Sequence, residues 1–330
     1  MLNYSKMMFS SILIMSTIII VTSNSWLGMW MGMEMNLMSF IPLISKTKNM
    51  SSSHGMIIYF LNQSMGSIIF LFAMLMNVII ISPMIINQFF NEMLTISILI
   101  KLGAAPFHMW IPEMMTSLNW IEIFLLSTLQ KLGPLFVLYS TSTSSLMINI
   151  SVVLSSIIGS IGGIMYTSLR KILAYSSINQ MSWMIMMLSI SSQWYLYLLL
   201  YSILMMIICI WFHNNNYYFM NQMMKKSSTM EKLTISTLLL SMGGMPPMLG
   251  FLPKWIAIQT MMTNQNIMIM MIMIMTSMLT LFYYMRMISS MMLIYTSINK
   301  WNSKGKNTIS LWITFIINLS LPLFLMMDFI

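Results

Sequence analysis

The twelve residues Gly243-Gly-Met-Pro-Pro-Met-Leu-Gly-Phe-Leu-Pro-Lys254 interrupt a long apolar stretch of the chain. They include three glycines and three prolines, and they end on a lysine. Proline lacks a backbone N–H and clashes with the preceding helical turn, so this stretch cannot form one continuous helix. Broken backbone at membrane depth is tolerated where it is buried in protein or lines a hydrated cavity, and it marks ion sites in transporters. The stretch therefore predicts a broken helix with a buried lysine beside it.

The rest of the chain has the composition of a protein that lives in lipid. Of its 330 residues 58% are hydrophobic and only 6% are charged, whereas soluble domains carry roughly a quarter charged residues. We therefore predict one all-α, polytopic membrane domain over residues 1–330, with about eleven transmembrane helices, because each crossing needs roughly 20 apolar residues. The predicted spans are 5–23, 26–45, 56–81, 92–112, 120–142, 147–168, 172–190, 193–212, 233–260, 267–287 and 309–327.

The cations in the loops and at the ends of the spans predict the orientation of the chain. Lysine and arginine collect in loops on the side of synthesis, and here they all fall in alternate loops, while the opposite loops hold Glu92 and Asp328. A miscounted helix would scatter these cations over both sides. We therefore predict an odd number of spans, with the N-terminus facing the matrix or cytoplasm. The orienting cations are Lys6, Lys46, Lys48, Arg170, Lys171, Lys225, Lys226, Lys232, Arg286, Lys300, Lys304 and Lys306.

Four ionisable residues remain near the middle of predicted spans: Glu34, Lys101, Lys131 and Lys254. An ionised side chain at the bilayer centre costs about 3 kcal/mol on insertion scales, so these four are predicted to face the protein interior or trapped water. Snorkelling is the alternative, but a lysine at mid-span barely reaches headgroup depth. Burial disfavours a charged lysine and a nearby carboxylate favours it, so such a set can exchange protons near neutral pH.

The backbone beside the other two lysines is also irregular. The stretch Lys101-Leu-Gly-Ala-Ala-Pro-Phe-His108 places a glycine and a proline inside a span, and that proline frees the carbonyl of Leu102. Pro134 follows Lys131 by three residues. His108 would share a helical face with Lys101 if the helix continued, and it either relays protons or bonds a freed carbonyl.

Several other classes of site are excluded or disfavoured. The cations lie singly or in pairs in short loops, which argues against nucleic-acid binding. The lone Cys209 has no disulfide partner and is predicted to be buried and inert. No nucleotide-binding or metal-binding motif occurs, so we expect no redox cofactor and no metal in this chain. The 48 methionines are better explained as apolar side chains that face lipid than as copper ligands. Glu113 and Glu122 lie near span ends and are predicted to be solvated.

The two interrupted motifs, at 101–108 and 243–254, resemble those of the antiporter-like membrane subunits of respiratory complex I. Two further stretches are similar to the same family: Ser-Asn-Ser-Trp-Leu-Gly-Met-Trp-Met-Gly-Met-Glu at 23–34 and Thr-Ser-Leu-Arg-Lys-Ile-Leu-Ala-Tyr-Ser-Ser-Ile at 167–178. The resemblance extends over nearly the whole chain, and the four motifs occur in the same order. The resemblance implies two inverted repeats, each with a broken helix.

The resemblance also implies roles for the mid-span residues. Glu34 and Lys101 would form the family's Glu/Lys pair, Lys131 its central lysine, and Lys254 its lysine on the second broken helix. A change in the Glu34/Lys101 interaction would alter the proton affinity of Lys131, in a proton relay driven by quinone reduction elsewhere. The FMN, iron–sulfur clusters and ubiquinone of such a complex would be bound by other subunits.

The implied partners are other complex I membrane subunits, including sister antiporter-like subunits, and lipids such as cardiolipin. The implied location is the mitochondrial inner membrane, with the N-terminus in the matrix and the C-terminus in the intermembrane space. The methionine excess is typical of AT-rich genomes in which ATA encodes methionine, as in invertebrate mitochondria. Two alternatives stay open: a stand-alone cation/proton antiporter, and a structural subunit whose buried charges only stabilise helix packing.

Overall fold

A computed structural model describes most of the chain as helices joined by short connections. The described residues are 4–45, 50–79, 84–141, 145–191, 193–226, 229–293, 312, 314–316 and 318–319. They fall into two compact units, Met1–Ser155 and Ser156–Ile330. The helices are α1 (Tyr4–Thr22), α2 (Trp26–Ile44), α3 (Met50–Ile79), α4 (Met84–Leu102), α5 (Trp110–Ser117), α6 (Trp120–Ser127), α7 (Leu129–Ser140), α8 (Ser145–Met165), α9 (Leu169–Ile190), α10 (Trp194–Asn215), α11 (Met220–Lys226), α12 (Thr229–Gly243), α13 (Phe251–Thr263) and α14 (Ile267–Leu293).

Within the described residues, seven helical segments are long and apolar enough to cross a bilayer. Helices are the expected form, because lipid offers no hydrogen-bond partner to an unpaired backbone group. The prediction of an all-helical, multi-pass membrane protein is therefore confirmed. The seven segments are Tyr4–Thr22, Trp26–Ile44, Met50–Asn77, Trp120–Ser140, Leu146–Met165, Trp194–Asn215 and Ile267–Met292.

The predicted spans and the observed helices differ where the backbone breaks. The predicted span 92–112 corresponds to the end of α4 and the start of α5, and α4 begins eight residues earlier than expected, at Met84. The predicted span 233–260 is divided between α12 and α13. The predicted span 309–327 lies largely outside the described residues.

The first break follows Leu102, where α4 ends. Gly103 adopts a φ of 66°, a left-handed conformation that glycine enters without the steric cost of a Cβ atom. Its N–H donates to the Ile100 carbonyl at 3.2 Å, and the next N–H donates to the Leu99 carbonyl at 3.1 Å. The chain then runs through Pro106 and re-enters a helix at Trp110.

The second break is built in the same way. Helix α12 ends at Gly243, Gly244 has a φ of 81°, and α13 begins at Phe251. The connection is tied to the C-terminal region of the chain, because the Leu249 N–H donates to the Asn318 carbonyl at 3.1 Å. Both breaks agree with the glycine and proline content of their motifs.

A third interruption lies where the sequence suggested a continuous span. Helices α6 and α7 meet at Thr128, which has φ −121° and ψ −76°. Pro134, the residue that suggested a distortion, lies inside α7 without ending it. At the start of α6, Glu122 accepts hydrogen bonds from the Asn119 backbone N–H at 2.8 Å and side-chain amide at 3.1 Å. Glu122 is only 6% exposed, so the expectation that it is solvated was wrong.

In the second unit, two arginine side chains contact the residues around the connection that follows α8. The Arg286 guanidinium on α14 donates to the carbonyl of Ile164 at 2.6 Å and to that of Tyr166 at 3.1 Å. The Arg170 guanidinium lies 4.3 Å from the ring centroid of Tyr218. Burial and, after it, the Glu231 carboxylate raise the pKa of Tyr217 to about 12, so this phenol stays protonated at a pH at which an exposed tyrosine ionises.

Candidate functional site

Lys101 occupies the last turn of α4, directly before the first break, and is 5% exposed. Its side chain lies against Gly66 of α3, where a Cβ atom would come within 2.8 Å of the Lys101 Cγ. Because α4 ends here, the Lys101 carbonyl has no helical partner. The Gln63 side-chain amide, also on α3, donates to that carbonyl at 3.0 Å. Helix α3 therefore holds both the backbone and the side chain of this lysine.

Glu34 lies on α2 and is half-buried, and its carboxylate interacts electrostatically with both Lys101 and Tyr59. Among the described side chains, the buried Oε1 of Glu34 has no hydrogen-bond partner. The Lys101 Nζ lies 3.8 Å from the Sδ of Met33, the residue before Glu34. The structure thus brings Glu34 and Lys101 into one neighbourhood, without a direct ion pair among the contacts of the described residues.

Lys131 lies in the first turn of α7 and is 3% exposed. Its backbone N–H donates to the Thr128 carbonyl at 3.1 Å, so it directly follows the interruption between α6 and α7. The residue before it, Gln130, belongs to a polar bridge across three helices. Its side-chain amide donates to Asn36 Oδ1 at 2.9 Å, and its Oε1 accepts from the Tyr59 hydroxyl at 2.8 Å.

In the second unit, Lys254 lies on α13 and is 4% exposed. Its Nζ donates to the Gly243 carbonyl at 2.7 Å. The last carbonyls of a helix lack helical partners and carry the negative end of the helix dipole. The C-terminal end of α12 thus stabilises the ammonium group. A Cβ atom on Gly244 would lie 2.7 Å from the Lys254 Nζ, so glycine is required for this contact.

Further polar side chains surround the second break. The Gln180 amide donates to the Met242 carbonyl at 3.3 Å, and the Tyr197 hydroxyl donates to Gln180 Oε1. A small cavity opens beside these groups, between α9, α10 and the broken segment; its lining includes Tyr201 and Pro253. Polar cavities that offer several hydrogen-bond partners are the kind that hold internal water.

His108 is buried in the first break, and its Nδ1 lies 3.2 Å from the Pro106 carbonyl. This carbonyl differs from that of Leu102, which Pro106 frees, so both predicted roles of His108 stay open. Glu113 is exposed on α5, as expected for a carboxylate at a span end. Cys209 is buried, as predicted.

The sequence reasoning missed the polar residues that support the charged ones. Tyr59, Gln63 and Gly66 are spaced by four and three residues, so they share one face of α3. That pattern of a tyrosine, a glutamine and a glycine on one face of an apolar helix was available in the sequence. Their partners, Asn36 and Gln130, could not be assigned without the helix packing.

Comparison with known proteins agrees with this architecture. The transmembrane family described as NADH:quinone oxidoreductase/Mrp antiporter matches residues 23–280. The NADH-ubiquinone oxidoreductase chain 2 of Anopheles gambiae is 40% identical over 312 residues, covering 92% of this chain and 91% of the relative. The chain belongs to the NADH-ubiquinone oxidoreductase chain 2 family. The resemblance to antiporter-like complex I subunits predicted from the four motifs is therefore confirmed.

Solved structures share the fold of this chain 2 family member. A chain of respiratory complex I from Thermus thermophilus superposes with a TM-score of 0.83 at 16% identity, covering 97% of this chain and 78% of that one. A chain of the Mrp complex from Dietzia sp. DQ12-45-1b superposes with a TM-score of 0.75 at 14% identity, covering 86% of this chain and 59% of that one. At these identities the likeness concerns the fold alone.

Proposed function

We propose that the chain is a core membrane-arm subunit of NADH:ubiquinone oxidoreductase that contributes a proton-translocation pathway through Glu34, Lys101, Lys131 and Lys254. Its relatives carry the name of that enzyme. The observation that carries the proposal is the Glu34 carboxylate, which lies close enough to Lys101 to interact with it and has a buried oxygen without a hydrogen-bond partner among the described residues. Such a loosely paired carboxylate can strengthen or weaken its hold on the lysine at little structural cost.

The relay works by shifting charge between buried groups. When Glu34 and Lys101 draw together, their charges largely cancel. When they separate, the electric field of the two uncompensated charges changes the free energy of protonating Lys131. Lys131 then takes up or releases a proton. Lys254 is the relay group of the second unit, where the Gly243 carbonyl stabilises its charged form. His108 is an additional candidate for proton transfer near Lys101.

The same assignment gives the proposed topology, partners and cofactors of the chain. It forms a single membrane domain of eleven spans with two inverted repeats, and its N-terminus faces the mitochondrial matrix across the inner membrane. It packs against sister antiporter-like subunits and lipids such as cardiolipin, and it binds no nucleic acid. It holds no redox cofactor itself, so FMN, iron–sulfur clusters and ubiquinone are bound by other subunits, where the electron transfer occurs.

The second candidate is a stand-alone cation/proton antiporter, favoured by the inclusion of Mrp antiporters in the matching family. It would use the same lysines. A structural subunit is the third candidate, in which the buried charges stabilise packing alone. These three functions predict different behaviour when one buried lysine loses its charge.

The test is Lys131→Met in the assembled complex, with Lys6→Met near the start of α1 as the matched control. We expect normal assembly and loss of proton pumping coupled to NADH oxidation in Lys131→Met, because methionine keeps the bulk of lysine but carries no proton. Lys6→Met is expected to pump normally. Loss of assembly in Lys131→Met would support a structural role. Cation/proton exchange by the isolated chain in liposomes would support the antiporter.

A further inference from the structure

A hydrogen-bonded bridge of three neutral side chains joins the helices that carry Glu34 and Lys131. Tyr59 of α3 donates to Gln130 Oε1 at 2.8 Å, and Gln130 of α7 donates to Asn36 Oδ1 of α2 at 2.9 Å. Asn36 follows Glu34 by two residues, and Gln130 directly precedes Lys131. The bridge therefore runs from the neighbourhood of the Glu34/Lys101 pair to the residue next to the central lysine.

The ring of Tyr59 is fixed at its place by aromatic neighbours. Its centroid lies 5.2 Å from that of Phe40 in an edge-to-face arrangement and 6.1 Å from that of Trp110. The side chain is fully buried. Because the ring is held from two sides, the hydroxyl oxygen stays in place, and its proton can pass to a second acceptor only when that acceptor moves towards it.

The Tyr59 hydroxyl has one proton to donate and two groups that can attract it. The first is Gln130 Oε1, which accepts it in this structure. The second is the Glu34 carboxylate, which interacts electrostatically with Tyr59 and has a buried oxygen without a partner among the described residues. An ionised carboxylate is the stronger acceptor of the two. The interaction of Glu34 with Lys101 decides how strongly Glu34 competes for this proton.

The loss of the hydrogen bond from Tyr59 affects Gln130 because of where Gln130 lies on α7. It lies two residues after Thr128, where α6 and α7 separate. Loss of the Tyr59 donor leaves the partly buried Gln130 oxygen without this donor, which is unfavourable. The first turn of α7, with Lys131 in it, is then driven to reorient around the interruption at Thr128.

We propose that Tyr59 and Gln130 are positioning residues of the relay, through which the state of the Glu34/Lys101 pair sets the position of Lys131. The Tyr59 hydroxyl exchanges its acceptor between Gln130 and Glu34. No covalent bond is made or broken, and an amide such as Gln130 transmits position instead of a proton. This inference rests on the proposed function, because it gives that relay its internal connection.

The test uses Tyr59→Phe in the assembled complex, since phenylalanine keeps the ring packing and removes only the hydroxyl. Turnover coupled to proton pumping, measured per assembled complex, is expected to fall about fivefold, the equivalent of one lost hydrogen bond of ordinary strength. Tyr195→Phe is the matched control, because Tyr195 is 53% exposed on α10. Its turnover is expected to match the wild type.

Gln130 variants separate positioning from packing. Gln130→Leu removes both hydrogen bonds and is expected to lower turnover at least as much as Tyr59→Phe. Gln130→Glu keeps an acceptor for Tyr59 and is expected to restore part of the turnover. Wild-type turnover per assembled complex in Tyr59→Phe, or equal turnover in Gln130→Leu and Gln130→Glu, would overturn the proposal. If Lys131→Met abolishes pumping while Tyr59→Phe keeps it, this inference alone fails; if Lys131→Met pumps normally, the proposed function fails.

Discussion

At the scale of single residues, the contact between Lys254 and Gly243 makes the adjacent glycine indispensable. Gly244 has a φ of 81°, and a Cβ there would lie 2.7 Å from the Lys254 Nζ. We predict that Gly244→Ala displaces the ammonium group from the helix end. Left-handed alanine adds about 1 kcal/mol of strain, and a charge-assisted hydrogen bond is lost. We expect proton pumping per assembled complex to fall about tenfold, measured in sealed vesicles.

The neighbouring glycine provides the control for this substitution. A Cβ on Gly243 would meet its nearest atoms, in Tyr284 and Leu281, at 3.5 to 3.6 Å, which is ordinary van der Waals contact. Gly243→Ala keeps the carbonyl that binds Lys254 and is therefore expected to have a much smaller effect. Equal losses in Gly243→Ala and Gly244→Ala would show that this segment is sensitive to any added carbon, and would contradict the specific role of Gly244.

At the scale of elements, Arg286 joins α14 to the end of α8. The sequence identified this residue only as an orienting cation, but its guanidinium donates to two carbonyls at the end of α8, those of Ile164 and Tyr166. Lysine keeps the charge but cannot donate to both carbonyls from one planar group, as the guanidinium does. We predict that Arg286→Lys destabilises the assembled complex by about 1–2 kcal/mol, measured as a lower temperature of thermal inactivation.

The comparison with Arg286→Met separates charge from geometry. Arg286→Met removes both the charge and the hydrogen bonds, and should be at least as destabilising as Arg286→Lys. If Arg286→Lys behaves as the wild type while Arg286→Met does not, the residue acts by its charge alone, as an orientation signal. The two carbonyl contacts would then contribute nothing measurable to stability.

The helix breaks illustrate which elements a sequence can predict. The breaks after Leu102 and Gly243 were predictable because glycine and proline act locally on their own backbone. The interruption at Thr128 was not, since threonine is compatible with a helix and nearby Pro134 lies inside α7. The early start of α4 at Met84 was missed because the polar residues 87, 88, 91 and 92 made that turn look like a loop.

At the scale of the whole molecule, the burial of Lys101, Lys131 and Lys254 was predictable from the sequence, whereas the residues that surround them were not. Glu34, Lys101, Lys131 and Lys254 were identified because charge at mid-span is costly wherever the helix packs. The pairing of Glu34 with Lys101 came from the family resemblance, since residues on different helices meet only through tertiary packing. The Tyr59–Gln130–Asn36 bridge was missed for the same reason.

The predicted eleven spans place the connections before and after the second broken helix on opposite sides of the membrane. If α12 and α13 together cross the membrane once, then Asn214, exposed at the end of α10, and Asn264, exposed after α13, lie on opposite sides. The only native cysteine, Cys209, is buried, so the wild type should give little background labelling. We expect a membrane-impermeant thiol reagent to label Asn264→Cys in mitoplasts, and Asn214→Cys only in inverted inner-membrane vesicles. Labelling of both from one side would mean that the broken helix re-enters its own face, and the count of eleven spans would be wrong.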